Sequence, residues 1–261
     1  MTRLPRFSRV PEAPTMRLTP RDLEILRHVA RHRFLNSTQI AMLTGGSAQQ
    51  LLRRLQGLFH SGLLDRPRAQ LSYFTTGGSR PMVYGLARAG ARALAAPGQP
   101  RTSPDNRTVK QLYLQHTLLV AEAMIAFQRA CRERSAPRLL LEEDLAPGQP
   151  PSVAFKWTVP VRRGDERRRT GLFPDRTFAL EDAATGKRVL YFLEADRATM
   201  PVTRHSLSQS SFLRKLLAYE ATWTQGIHQA RFGVISRERQ EVRDTGSFCV
   251  PAQVRHRKPQ A

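Results

Sequence analysis

Three helix starts follow one another closely in the N-terminal part of the chain, and a pair of short apolar strands comes straight after them. Thr19-Pro20-Arg21-Asp22 opens the first, with Thr as N-cap, Pro at the first helical position and an acid in the first turn. Leu23, Leu26 and Ala30 continue it at helical spacing. Asn36-Ser37-Thr38-Gln39 starts a second short helix that runs through Leu43, and Thr44-Gly45-Gly46 is a tight turn. Ser47-Ala48-Gln49-Gln50 has the capping-box pattern. It opens a third helix that buries Leu51, Leu52, Leu55, Leu58 and Phe59 and stops near Gly62. Leu63-Leu64-Asp65-Arg66 then begins a strand. The Gly/Ser/Arg-rich run Thr75 to Arg80 turns, and Met82-Val83-Tyr84-Gly85-Leu86 returns. A short Ala-rich helix, Arg88 to Ala96, follows. Three helices and a β-hairpin in this order predict a winged helix-turn-helix over residues 19–96.

The remainder reads as a second domain. Residues 1–18 are expected to be a disordered basic arm, and 97–108, rich in Pro, Ser, Asp and Asn, a linker. Val109 to Cys131 predicts a long amphipathic helix with Leu112, Leu119, Ala123, Met124 and Phe127 inward. Leu139 to Glu143 and the apolar runs at 153–160, 177–180 and 188–193 read as strands. Ser206 to Gln225 reads as a helix with Leu213, Leu216, Leu217 and Trp223 along it, and Phe232-Gly233-Val234-Ile235 as a last strand. The expectation is an α/β (α+β) domain over 109–235 and a disordered basic tail over 236–261.

Charge points to the partner. The chain has 42 Lys and Arg against 21 Asp and Glu, a formal net charge of +21. Most of the basic residues are Arg, and a polyanion such as DNA is the simplest partner for such a balance. In a winged helix the third helix enters the major groove. Its candidate base-reading residues here are Ser47, Gln49, Gln50, Arg53 and Arg54, because Gln pairs bidentately with adenine and Arg with guanine. Arg66, Arg68 and Arg80 would reach phosphates from the wing. The competing reading is a protein-interaction module with solvated arginines. No membrane partner is expected: no run approaches the roughly 20 apolar residues a span needs. The basic, Pro-rich N-terminus lacks the apolar core of a signal peptide. Two cysteines, Cys131 and Cys249, suit neither a disulfide framework nor a Cys-based zinc site, so a cytoplasmic location is expected.

Against that basic background stand two acidic motifs, Phe173-Pro174-Asp175-Arg176 and Tyr191-Phe192-Leu193-Glu194-Ala195-Asp196-Arg197. Strand alternation puts Glu194 and Asp196 on one face. A turn at Ala184-Thr185-Gly186 would pair 177–180 with 188–194 and bring Asp175 to the same end. Three carboxylates there could hold a divalent metal, Mg or Mn, which keeps waters for a substrate phosphate. The metal would polarise a phosphoryl oxygen and lower the pKa of a bound water. Lys215 and Tyr219, four apart on the following helix, share a face. Lys215 could offset developing phosphate charge. Taken singly, Asp175 is equally a turn residue, and Glu194 and Asp196 are equally members of surface ion pairs.

These residues resemble the replication-relaxation family of plasmid and mobile-element proteins, over roughly Leu18 to Ile235. The N-terminal carriers are Leu18-Thr19-Pro20-Arg21-Asp22, Arg53-Arg54-Leu55, Gly62-Leu63-Leu64 and Tyr84-Gly85-Leu86. His116-Thr117-Leu118 and the more specific Phe173-Pro174-Asp175, Phe192 to Thr199 and Lys215-Leu216-Leu217-Ala218-Tyr219 follow. That family is similar to one class of conjugative relaxases, and the resemblance implies a winged helix joined to a restriction-endonuclease-like PD-(D/E)XK core. It implies that Asp175 and Glu194 act at a metal or scissile phosphate, and that Lys215 replaces the usual strand lysine. Asp196 stands where that lysine is expected. The implied activity is metal-dependent nicking of origin DNA, with relaxosome or replication proteins as further partners. The other reading is a non-catalytic regulator or relaxosome accessory on a degenerate nuclease fold. A His-rich tyrosine relaxase finds little support, because no His-apolar-His strand motif is present.

Overall fold

Thr19 caps α1 (Pro20–His32) through a capping box: its hydroxyl accepts from the Asp22 backbone N–H, and the Asp22 carboxylate accepts from the Thr19 N–H. Two of the helix's orphan donors are thereby satisfied. The same device recurs at α2 (Ser37–Thr44), where Asn36 and Gln39 exchange hydrogen bonds. Ser47 caps α3 (Ala48–His60). The computed structural model describes residues 5–12, 16–73, 80–95, 105–134, 137–197 and 200–232. The chain divides into two units, Met1–Ile125 and Ala126–Ala261.

In the first unit, three antiparallel strands lie in the order β1 (Phe34–Asn36), β3 (Val83–Leu86), β2 (Leu64–Asp65). The helix α4 (Arg88–Leu94) follows. Ile25, Leu26, Val29, Leu35, Ile40, Leu51, Leu55, Leu58 and Leu64 form one buried core. Leu52, expected inside, is half exposed. The strand β1 was not legible in the sequence, because three residues carry no periodicity of their own. It exists by pairing, with Phe34 opposite Gly85. A Cβ on Gly85 would lie 2.7 Å from the Phe34 ring, so only glycine lets β1 approach β3 this closely. The hairpin is shorter than expected: β2 ends at Asp65, and a 3₁₀ turn follows over Arg68–Tyr73. Within that turn the buried Gln70 side chain bonds both the N–H and the C=O of Val83, substituting for a missing strand neighbour. The expected turn at 75–79 lies outside the described residues.

Two boundary expectations are corrected. Residues 5–12, taken from sequence as part of a free arm, make specific contacts: Arg9 Nε donates to Phe59 O at 2.9 Å, and Arg9 pairs with Asp65. Residues 105–108, taken as linker, are anchored too. Asn106 is buried and donates to Leu86 O and to Asp65 Oδ2, each at 2.9 Å, while its Oδ1 accepts from Arg33. Arg33 has φ +68°, a left-handed conformation unfavourable for a side chain of this size. Its guanidinium bonds to Asn106 and Asp105 O and its stacking on the Phe34 ring hold it there. The long helix α5 (Gln111–Glu133) contributes Leu114, Ala121 and Ile125 to the first unit, so the unit boundary falls inside this helix. Leu112, expected inward, is exposed.

The second unit has two small antiparallel sheets. One is ordered β4 (Pro137–Leu140), β7 (Arg176–Asp182), β8 (Arg188–Leu193). The other is the hairpin β5 (Trp157–Arg163) with β6 (Glu166–Leu172). Short helices α6 (Glu142–Leu145) and α7 (Pro151–Ala154) precede β5, so the strand expected from residue 153 begins only at Trp157. The helices α8 (Phe212–Thr224) and α9 (Ile227–Phe232) follow. Residues 206–211, expected in the helix, lie before α8. Phe232, expected in a strand, ends α9, and residues 233–261 lie outside the described ones. Trp157, Val159, Val161 and Leu172 pack with Ala218 of α8, and Trp157 Nε1 donates to Thr222 Oγ1 at 2.8 Å. The mixed α/β class expected from the sequence therefore holds, built on small antiparallel sheets. Among the described residues no helix is long and apolar enough to cross a membrane.

Gly90 provides a stability test. A Cβ there would lie 2.2 Å from Leu63 O, and a backbone carbonyl cannot swing aside. Helix propensity favours Ala over Gly by about 1 kcal/mol. Gly90→Ala is nonetheless expected to lose roughly 2 kcal/mol, because relief of the clash must push α4 off the β2 end. Urea melts of both proteins check the sign; a gain in stability would contradict the packing described.

Candidate functional site

Two groups of residues singled out by the sequence occupy separate units. In the first unit, the N-terminal end of α3 is exposed from Ser47 to Gln50, and Leu52 and Arg53 are exposed beyond it. Ser47 also caps the helix, its Oγ accepting from the Gln50 N–H at 3.4 Å. Arg54 is only partly exposed and turns to α1. Its Nε donates to Asp22 Oδ1 and its Nη2 to Asp22 Oδ2 and to Arg17 O. Asp22 is fully buried. Burial works against its charge, yet the hydrogen bonds from Arg54 and Thr19 hold the carboxyl below the usual carboxylate range. Arg54 is thus a bidentate partner of a buried acid, which explains its half-buried state.

Arg66 is similarly engaged. Its guanidinium lies 4.2 Å from the Phe59 ring centroid and 5.3 Å from that of Tyr84, and it donates to Arg6 O at 2.7 Å. Such stacking on aromatic faces is favourable by about 1 kcal/mol when partly desolvated. Arg68 and Arg80 are exposed. The residues expected from sequence to read bases, together with the wing arginine Arg66, thereby divide. Ser47, Gln49, Gln50 and Arg53 face solvent, whereas Arg54 and Arg66 hold the fold together.

In the second unit, β7 and β8 pair with Arg176 opposite Leu193, so the next pair outward is Asp175 and Glu194. The turn expected at 184–186 is present: Asp182 Oδ1 accepts from the N–H groups of Ala184 and Thr185, and Gly186 takes φ +67°. Asp175 N donates to Leu193 O at 3.0 Å, and Asp175 Oδ2 accepts from Ala195 N at 2.8 Å. Glu194 is buried, 6% exposed. Lys215 Nζ donates to its Oε2 at 2.5 Å and Tyr219 OH to its Oε1 at 2.7 Å. The shared helical face of Lys215 and Tyr219 is what makes this two-pronged grip. Burial pushes the Glu194 carboxyl up, the Lys215 ammonium opposes this, and the Asp175 charge adds to it. Burial and the Glu194 charge push the Tyr219 phenol far above its ordinary range. Tyr219 therefore acts as a hydrogen-bond donor to Glu194, and its phenolate form is strongly disfavoured. This role was not read from the sequence, although the i,i+4 spacing pointed at it.

Asp196 departs from expectation. The strand β8 ends at Leu193, and Leu193, Glu194 and Ala195 are all buried in succession, so the pleat that would align Asp196 with Glu194 has already ended. Among the described residues, no group of three or more His, Cys, Asp or Glu comes together to hold a metal. Two adjacent carboxylates remain, Asp175 and Glu194. This donor set fits Mg²⁺, which commonly takes one or two carboxylates and completes its shell with water and phosphate. Lys215 now holds the Glu194 oxygen that such an ion would share. A further acid escaped the sequence reading: buried Glu142 accepts from Thr177 N at 3.0 Å and from Arg176 Nη1 at 3.2 Å, fixing the start of β7 beside Asp175.

The replication-relaxation family matches the chain over residues 26–237. The chain belongs to this family. The match runs from within α1 to beyond α9, so it takes in both α3 and the Asp175–Glu194–Lys215 cluster. No curated protein and no solved structure matches the chain. Membership in the replication-relaxation family suggests involvement in plasmid or mobile-element replication.

The buried Glu194 yields a pH prediction for this family member. Its carboxyl titrates above the unfolded value near 4.5, so the folded state favours the protonated form. Wild-type stability should accordingly fall, through this group, as pH rises past 4.5 and through the folded pKa. Glu194→Gln keeps an acceptor for Tyr219 and removes the titration. Between pH 5 and pH 8 the variant is expected to gain stability relative to wild type. Denaturant melts at the two pH values decide; a variant that loses ground at pH 8 would mean that Lys215 pairing outweighs burial.

Proposed function

We propose that this replication-relaxation protein binds double-stranded DNA at an origin or operator, in plasmid or mobile-element replication or mobilisation. In this reading the first unit is a winged helix-turn-helix and the second a restriction-endonuclease-like domain. The observation that carries it is the division of labour on α3. Arg54 is tied to the buried Asp22 carboxylate, while Gln49, Gln50 and Arg53 stand exposed at the helix N-terminal end with Ser47. A helix anchored through Arg54 with an exposed, polar N-terminal end suits insertion into a major groove. Arg68 and Arg80 would neutralise phosphates beside it, and the net charge of +21 favours a polyanion throughout.

The DNA-binding reading predicts that Gln49→Ala and Arg53→Ala each weaken binding to the cognate duplex by about 1–3 kcal/mol, with little change on an unrelated duplex. Fluorescence anisotropy at fixed salt measures both. Equal weakening on both duplexes would reduce these side chains to phosphate contacts, and no weakening on either would remove α3 from the interface.

For the second unit we infer a role at a scissile phosphate. Asp175 and Glu194 would hold a divalent metal, Mg or Mn, which when bound supplies phosphoryl polarisation and a more acidic water. Tyr219 would orient Glu194 through its hydroxyl, and Lys215, released from the carboxylate, would donate to a phosphate oxygen as charge develops. Glu142 would keep the start of β7 in place. A second reading, a non-catalytic regulator or relaxosome accessory, is favoured by the full occupation of both Glu194 oxygens by Lys215 and Tyr219. Nicking of supercoiled origin DNA with Mg²⁺ or Mn²⁺ separates them. The catalytic reading expects wild-type nicking and a loss of about 100-fold or more in Asp175→Asn, a magnitude typical of removing an electrostatic catalytic group. Equal nicking by wild type and Glu194→Ala would sink the assignment. Salt-sensitive binding without cleavage would support the accessory role.

A further inference from the structure

The hairpin β5–β6 carries charge that neither the fold nor the proposed centre uses. Its inner face, Trp157, Val159, Val161 and Leu172, is apolar and buried against α8. Its outer face is fixed by the register: Thr158 opposite Gly171, Pro160 opposite Arg169, and Arg162 opposite Arg167. All six are exposed. Like charges directly across a strand pair are destabilising. Arg162 and Arg167 are such a pair, and Arg169 adds a third guanidinium about 7 Å along the same strand face. Two inner-face charges near the turn, Glu166 and Arg163, are answered. Glu166 accepts from Ser206 Oγ at 2.7 Å and from Leu207 N at 2.9 Å, and Arg163 Nη1 donates to Arg204 O at 2.7 Å. On the outer face the contrast is clear. Arg162 Nε reaches only Gly164 O at the turn, and no ion pair among the described residues involves Arg162, Arg167 or Arg169.

The turn closes this ribbon tightly. Gly164 takes φ +58° ahead of Asp165, a glycine-first two-residue loop of the kind that matches strand twist. Gln225 Nε2 donates to Pro160 O at 2.9 Å, tying the ribbon to the residue just after α8. Small groups at Thr158, Pro160 and Gly171 leave the guanidinium groups as the features that stand out from it.

We propose that the outer face of β5–β6 is a second DNA-contact surface, in which Arg162, Arg167 and Arg169 bind backbone phosphates of a duplex without reading sequence. A phosphate run relieves the mutual repulsion of the three cations and accepts bidentate guanidinium bonds. The ribbon cannot enter a groove from both sides, because its inner face is covered by α8. Contact is therefore to the backbone, and it adds to the salt dependence of binding rather than to its specificity. The surface lies on a different unit from α3, and it deepens the DNA-binding reading on which it rests.

The test uses the full-length protein and the triple variant R162Q/R167Q/R169Q, which alters only exposed side chains, with circular dichroism confirming the fold. Anisotropy titrations on the cognate duplex and on an unrelated duplex, from 50 to 300 mM KCl, give the slope of log Kd against log salt. Each phosphate contact adds about 0.9 to that slope. The triple variant is expected to lower it by about 2 to 3 on both duplexes while keeping the preference between them. Arg53→Ala, measured in parallel, should instead reduce the preference. An unchanged slope in the triple variant, with Arg53→Ala still reducing preference, overturns the ribbon surface and leaves the α3 reading standing. Absence of duplex binding by the wild type overturns both. A slope for polyglutamate that falls as much as that for duplex would assign the face to acidic polypeptides and overturn it as a DNA surface.

Discussion

The first unit depends on one buried carboxylate. Asp22 closes the capping box of α1 and at the same time grips Arg54 of α3. A fully buried acid with a single partner would be a liability, since desolvation of one ion can exceed the Coulombic return. Here the carboxylate takes donors from Thr19 N, Thr19 Oγ1 and both reachable nitrogens of Arg54, so its lone pairs are occupied. The arrangement sets the rotation of α3 about its own axis. Once Arg54 points at α1, the i−1 position, Arg53, is turned about a quarter of the way around the helix, and the core leucines complete the orientation.

The caps were the most legible part of the sequence, because each rests on local chemistry. Thr19, Asn36 and Ser47 each announce a helix within four residues, and each does begin one. The apolar pair 177–180 and 188–193 was legible for a similar reason, since an Asp-started turn with a glycine joins the two. What failed was structure defined by distant partners. The strand β6 reads Glu-Arg-Arg-Arg-Thr-Gly-Leu, which has no apolar alternation until its end. It is a strand because β5 offers a register. The helix α7 begins at Pro151, a good first helical residue that the apolar content of the following run obscured. Asp196 was assigned by extending a pleat past the point where the strand stops.

At the acidic centre the sequence named the right neighbours and missed their relation. Asp175, Glu194 and Lys215 were identified as separate contributors; the fold makes Glu194 the hub and Lys215 and Tyr219 its two donors. Burial raises the carboxyl while the ammonium lowers it, and this opposition keeps the pair responsive to a third charge such as a phosphate or a cation. Glu142 was invisible beforehand because one of its partners, the Thr177 N–H, is a backbone group that any residue type would present, and the other, Arg176, lies 34 residues away in sequence.

Asn106 has a consequence for modularity. It follows the Pro-rich stretch that looks like a boundary, yet it bonds the β2–β3 sheet and the Arg33 side chain, and α5 then covers Phe34 and Val83 with Leu114. The helix–strand unit is thus sealed by residues that lie downstream of its apparent end. A cut or a gene fusion at the Pro-rich stretch would unroof that unit. Exchange of this module between proteins would have to join chains inside α5, where a seam must preserve helical phase.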